Sequence, residues 1–160
     1  RVVPVILDWL GVKHRPPKRA EGKDDLFERA RDYAELQLAR GATELLFVFD
    51  ADGPDGPAEW GRFAQRLQGL PVVGFVPVHM LEAWLLADED AIAAVLGRPA
   101  ERVPDPEGDP EPDQTLSRIF RMAGKGGYIK SVHARLIALA AADRNWMRCP
   151  SYARGTHHFR

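Results

Sequence analysis

Glu44-Leu45-Leu46-Phe47-Val48-Phe49 runs directly into Asp50-Ala51-Asp52. The first six residues read as a strand. They are apolar on both sides, which suits a central strand covered by helices on both faces of a sheet. The strand ends in two carboxylates at i and i+2. In open α/β sheets, ligands bind outside the carboxyl ends of strands. In an extended segment, i and i+2 point to the same side, so Asp50 and Asp52 would reach one site. Hard divalent cations take oxygen ligands of this kind. Asp55 would add a third oxygen if the Asp52-Gly53-Pro54-Asp55-Gly56 turn folds back. The competing reading is plain turn chemistry, which suits Asp55-Gly56 well.

Working outward, a helix is predicted from Asp25 to Arg40, capped by Asp24 and stopped by Gly41. Its apolar positions Leu26, Phe27, Ala30, Tyr33, Ala34 and Leu38 follow helical spacing. After the acidic turn, a helix is predicted from Ala58 to Gln68, a strand from Val72 to Val78 and a long helix from Met80 to Leu96. Strands alternating with helices indicate an α/β domain with a mainly parallel sheet and helices on both faces. Val2 to Leu7 is β-rich and reads as a strand, an edge strand because Pro4 cannot donate to a ladder. The chain opens on Arg1, inside this apparent strand, so residues upstream of it are expected. Residues 101–113 hold six acids and four prolines and read as an exposed, poorly ordered loop. Helices are predicted again at Gln114–Met122 and Val132–Ala142, and the tail from Cys149 shows no periodicity.

The chain has 160 residues, which suits one domain with a core of its own. One cysteine, Cys149, excludes a disulfide scaffold. No run of about 18 apolar residues exists, so no membrane span is expected. With no signal peptide legible, the expected location is the cytoplasm. Net charge is −1, yet residues 41–113 carry four Lys/Arg against fifteen Asp/Glu, and residues 114–160 carry nine against one. Either the two blocks pair with each other, or a carboxylate cluster lies beside a basic surface for phosphates.

Glu82 is the one non-apolar residue from Met80 to Ala87. A helix apolar all round is buried. A carboxylate there needs a cation, a metal or donors, unless it serves only its own helix dipole. Glu82 follows a strand and so falls at the same sheet edge as Asp50. His79 reads as a capping or core histidine. Gly124-Lys125-Gly126-Gly127-Tyr128-Ile129-Lys130 lacks the Gly-Lys-Ser/Thr ending of a P-loop. A flexible loop feeding a helix can still hold phosphate through backbone N–H groups and lysine. Lys125, Lys130, His133 and Arg135 are therefore candidate nucleic-acid contacts, against the plain reading of a solvated basic face. Arg144, Arg148 and Arg154 interleave with Trp146 and Tyr152, a pattern that suits nucleic acid or a tail packed on the core. Cys149 reads as structural, not nucleophilic.

The strand ending in Asp50-Ala51-Asp52, Glu82-Ala83-Trp84-Leu85-Leu86-Ala87-Asp88, Lys130 with His133, and Cys149-Pro150-Ser151-Tyr152 together resemble the DUF4276 family. Those proteins are Toprim-like and similar to the nuclease domains of the OLD family. The resemblance covers residues 44–152 and is most specific at Glu82–Asp88. It implies a single Toprim-like domain over 1–160, lacking its first strand. It makes Asp50 and Asp52 ligands of Mg²⁺ or Mn²⁺, Glu82 the acid of a second metal position, and Lys130 a basic residue near the scissile phosphate. The glutamate that Toprim domains carry after their first strand has no counterpart here. The expected activity is metal-dependent cleavage of nucleic-acid phosphodiesters, with DNA ranked above RNA, in phage defence or DNA repair. An ATPase is the kind of partner protein such systems use. The competing expectation is a non-catalytic nucleic-acid-binding or adaptor module. A nucleotide-binding domain ranks last, since no Gly-x-Gly-x-x-Gly follows a strand.

Overall fold

The computed structural model describes residues 2–160. Its centre is a parallel pair of short strands, β1 (Leu45–Val48) and β2 (Val72–Phe75), with Leu45 opposite Val72 and Val48 opposite Phe75. Alternation along β1 divides the core in two. Leu45 and Phe47 face a cluster that holds Ala30, Ala34, Phe49 and Phe63. Leu46 and Val48 pack against the larger cluster built on Phe75, Trp84, Ile137, Trp146 and Tyr152. A strand apolar on both sides is what this position requires. The chain is thus mixed α/β with a small parallel sheet, and no helix among the described residues is long and apolar enough to cross a membrane.

Ten helices surround the pair among the described residues. α1 (Val3–Trp9) lies where a strand is predicted. Pro4 falls in the first turn, where its missing N–H costs nothing. Val5, Ile6 and Leu7 are buried, and Trp9 meets Trp146 edge-on at 5.1 Å between ring centroids. Packing on the core outweighs the β preference of the valines.

The single helix predicted over 25–40 is two, α2 (Lys23–Glu28) and α3 (Ala30–Ala39), and Gly22, not Asp24, is the cap. The two part at Arg29, and Phe27 packs on Phe49 and Phe63 at 5.2 and 4.8 Å. α4 (Gly56–Gln65) follows β1 and is capped by Asp55, which accepts from the Ala58 N–H at 3.0 Å. Asp55 is therefore a helix cap and supplies no third oxygen to the strand end. On β2, the Trp60 ring of α4 occupies the space a Cβ at Gly74 would need.

The long helix predicted over 80–96 is also two, α5 (Glu82–Leu86) and α6 (Glu89–Leu96). Asp88 separates them. Its buried carboxylate accepts from Ala91 N at 2.9 Å, capping α6, and from Ala142 N at 2.8 Å. α7 (Pro112–Met122), α8 (Lys130–Ala140) and α9 (Asp143–Trp146) complete the larger cluster.

Two further expectations are corrected here. Residues 101–113 are held, not loose. Arg148 donates to the carbonyls of Val103 and Pro104 at 2.7 and 3.3 Å, and to that of Ala87 at 2.8 Å. The Glu107 carboxylate accepts from Ser151 N at 3.1 Å and from the Ser151 hydroxyl. The tail is helical, as α10 (Pro150–His157), and lies on β2 with Gly155 closely packed on Phe75. Its Tyr152, like Trp146, is wholly buried, so these aromatics pack the tail on the core and offer no face for stacking bases.

Candidate functional site at the carboxyl edge of the sheet

Beyond the strands the two segments stay paired. Phe49 N donates to Phe75 O, Ala51 N to Pro77 O, and Asp52 N to His79 O at 3.1 Å, while His79 N returns a bond to Gly53 O. Asp52 and His79 have φ of 58° and 54°, the left-handed region that side-chain-bearing residues seldom adopt. This turn at Asp52 breaks the extended geometry on which the shared direction of Asp50 and Asp52 rests. Asp52 points instead to Lys23, whose ammonium lies 2.8 Å from Oδ2, 3.2 Å from the Ala51 carbonyl and 3.8 Å from Glu59.

Asp50 has a different partner. Its Oδ1 accepts from the Leu81 N–H at 2.9 Å, just ahead of α5. Burial raises its pKa above the ordinary aspartate value. The charge of Lys130 and the Leu81 bond oppose that rise, and Glu82 and Asp52 add to it. Glu82 has no exposed surface. It is surrounded by apolar neighbours along α5, as its sequence context requires. Its charge is met by Lys130, 3.0 Å away, and by the Tyr128 hydroxyl at 3.2 Å. The site is thus Asp50 and Glu82 from two successive segments beyond the strands, with Lys130 at the start of α8 paired to Glu82 and acting on Asp50 through its charge.

Tyr128 was not singled out from the sequence, although it stands within the glycine-rich stretch ahead of α8. Its pKa is driven well above the ordinary tyrosine value by burial, with Glu82's charge and hydrogen bond adding. The hydroxyl therefore stays protonated and donates. Lys23 had no local signal either, lying 29 residues from Asp52.

His133 packs on the Phe120 and Tyr128 rings, 4.4 and 6.0 Å away between ring centroids. Its Nδ1 is 2.8 Å from the Ile129 N–H and accepts from it, capping the start of α8. That bond requires the proton on Nε2, and burial lowers the ring's pKa. Lys125 and Arg135 are exposed, Arg135 on α8. Cys149 is buried, lies 3.7 Å from the Ala83 carbonyl, and has its thiol pKa raised by burial, as an inert structural cysteine should.

Among the described residues, no three His, Cys, Asp or Glu side chains converge closely enough to hold one metal ion. The set Asp50, Asp52 and Glu82 is split by the Asp52 turn. Asp50 and Glu82 remain as the carboxylates of the edge, and Mg²⁺ commonly binds through one or two protein carboxylates with waters and substrate phosphates completing its shell. These two carboxylates do not suit an ion caged by protein alone.

No curated protein and no solved structure matches the chain. A domain of unknown function, DUF4276, matches residues 17–154, and the chain belongs to that family.

Proposed function

We propose that this chain is a Toprim-like, metal-dependent phosphodiesterase domain, akin to OLD-family nucleases, acting on nucleic acid at the Asp50–Glu82 edge. One observation carries the reading: at the sheet's carboxyl edge the buried Glu82 pairs with Lys130, whose charge also acts on the nearby buried Asp50. Mg²⁺ or Mn²⁺ bound there would polarise a phosphoryl oxygen and lower the pKa of a bound water. Asp50 and Glu82 would hold it. Lys130, released from Glu82, would neutralise phosphate charge. Tyr128 is a neutral donor beside the same carboxylate, not a phenolate nucleophile. His133 cannot act as a base through Nδ1, which is already an acceptor. Asp52, tied to Lys23, shapes the turn that aims Asp50. A role in phage defence or DNA repair, with an ATPase partner, belongs to this proposal.

A second reading has its own support. Each acid of the set already has a protein donor: Asp50 the Leu81 N–H, Asp52 Lys23, and Glu82 Lys130. Such a site serves a domain that binds nucleic acid without cutting it. Its affinity would fall steeply with salt and need no metal.

The deciding experiment measures cleavage of labelled single- and double-stranded oligonucleotides with Mn²⁺, alongside calorimetric Mn²⁺ titration. Asp50→Asn is expected to abolish both cleavage and metal binding, and Asp52→Asn to retain metal binding. Salt-sensitive binding with no cleavage and no metal uptake would establish the second reading instead.

A further inference from the structure

α8 is apolar on two opposite faces. Ala134, Ile137 and Ala138 are buried against the core. On the other side Ile129, Val132, Leu136 and Leu139 are 55, 49, 45 and 53% exposed. Their spacing of three, four and three residues is the a/d spacing of a helix–helix seam. At 3.6 residues per turn Val132, Leu136 and Leu139 fall within an arc of about 60°, and Ile129 is the extended residue just ahead of the helix. A solvated helix face is polar, and a helix apolar all round is one buried all round. The seam is flanked by Arg135, which is exposed, and α8 contains no acidic residue. Two copies of α8 packed antiparallel would bring Arg135 towards Arg135 with no carboxylate on either helix, a like-charge contact that disfavours self-pairing.

We infer that this face docks an amphipathic helix of a partner protein, one that carries an apolar seam of the same period flanked by Asp or Glu. Apolar side chains on both sides exclude water from the seam, and the acidic flank meets Arg135. This inference is independent of the phosphodiester proposal, since the seam uses none of the Asp50–Glu82 edge.

The test uses the whole chain and two fluorescent synthetic helices of three heptads, each with Leu at a and d, one with Glu and one with Lys at the flanking positions. Anisotropy titration is expected to show the Glu probe binding at least about tenfold more tightly than the Lys probe, a difference of roughly 1.4 kcal/mol. Arg135→Glu should reverse that preference. Val132→Ser with Leu136→Ser should weaken both probes, and both positions are exposed, so circular dichroism should be unchanged. Equal binding of the two probes, or binding of neither, overturns the inference. Light scattering that shows a dimer dissociated by Leu136→Ser overturns it too, and assigns the seam to a second copy.

Discussion

The Lys130 ammonium lies 3.0 Å from the carboxylate of Glu82, a side chain without exposed surface, across 48 residues of chain. This contact closes the sheet edge against the start of α8. Lys130 itself is 58% exposed, so the pair is buried at its acidic end and wet at its basic end. Removing the lysine leaves a buried carboxylate with only Tyr128 to meet it. Lys130→Met is expected to lower stability by about 1–3 kcal/mol. Glu82→Gln added to Lys130→Met should recover part of that loss. Urea unfolding of the two single variants and the double variant measures the coupling.

Asp50 carries a pH dependence of known sign. Its folded pKa is raised above the unfolded value, chiefly by burial. Its stabilising contribution is therefore fully present below the ordinary aspartate value of 3.8 and is lost as pH rises through the folded value. At neutral pH the ionised carboxylate is a cost to the fold. Asp50→Asn keeps an acceptor for the Leu81 N–H and removes the charge. The variant should unfold at higher urea than the wild type at pH 7, and the gap should close towards pH 4. A variant less stable than the wild type at pH 7 would contradict this.

His133 works in the opposite sense. Burial lowers its folded pKa below the ordinary value of 6.5, and its Nδ1 must stay unprotonated to accept from Ile129 N. As pH falls below 6.5 the unfolded chain takes up the proton first, so stability falls until pH passes the folded value. His133→Gln should flatten this part of the profile. Melts at pH 7.5, 6.5 and 5.5 on both proteins isolate the effect from the other histidines.

Arg148 fastens residues 101–113 to the end of α5 through three carbonyls and Glu89. Arg148→Met strips a partly buried cation from these acceptors and should cost about 2 kcal/mol. Limited proteolysis reads the structural consequence. Cleavage within 101–113 should become much faster in the variant, while the rest of the chain keeps its cleavage pattern.

Local pattern was enough for some elements and not for others. The paired strands were legible because Leu45–Phe49 is apolar on both faces. The burial of Glu82 was legible because every neighbour from Met80 to Ala87 is apolar. α1 was not, because Val, Val, Val and Ile favour strands, while burial beside Trp146 favours the helix. The order of 101–113 was hidden too. Its acids and prolines describe a solvated segment, and the Arg148 and Ser151 contacts that hold it come from more than 40 residues away.

Local sequence pattern is enough for an α/β chain with a parallel strand pair, a buried glutamate at its carboxyl edge and a structural cysteine. These depend on periodicity and composition over a few residues, and in these segments the tertiary packing agrees with the local pattern. Only the tertiary structure decided which carboxylates share a site. One left-handed residue, Asp52, sends its side chain to Lys23, while Asp50 binds the Leu81 N–H and feels the charges of Glu82 and Lys130. A single backbone dihedral and two lysines from distant helices set that outcome, and neither is written in the spacing of Asp50 and Asp52.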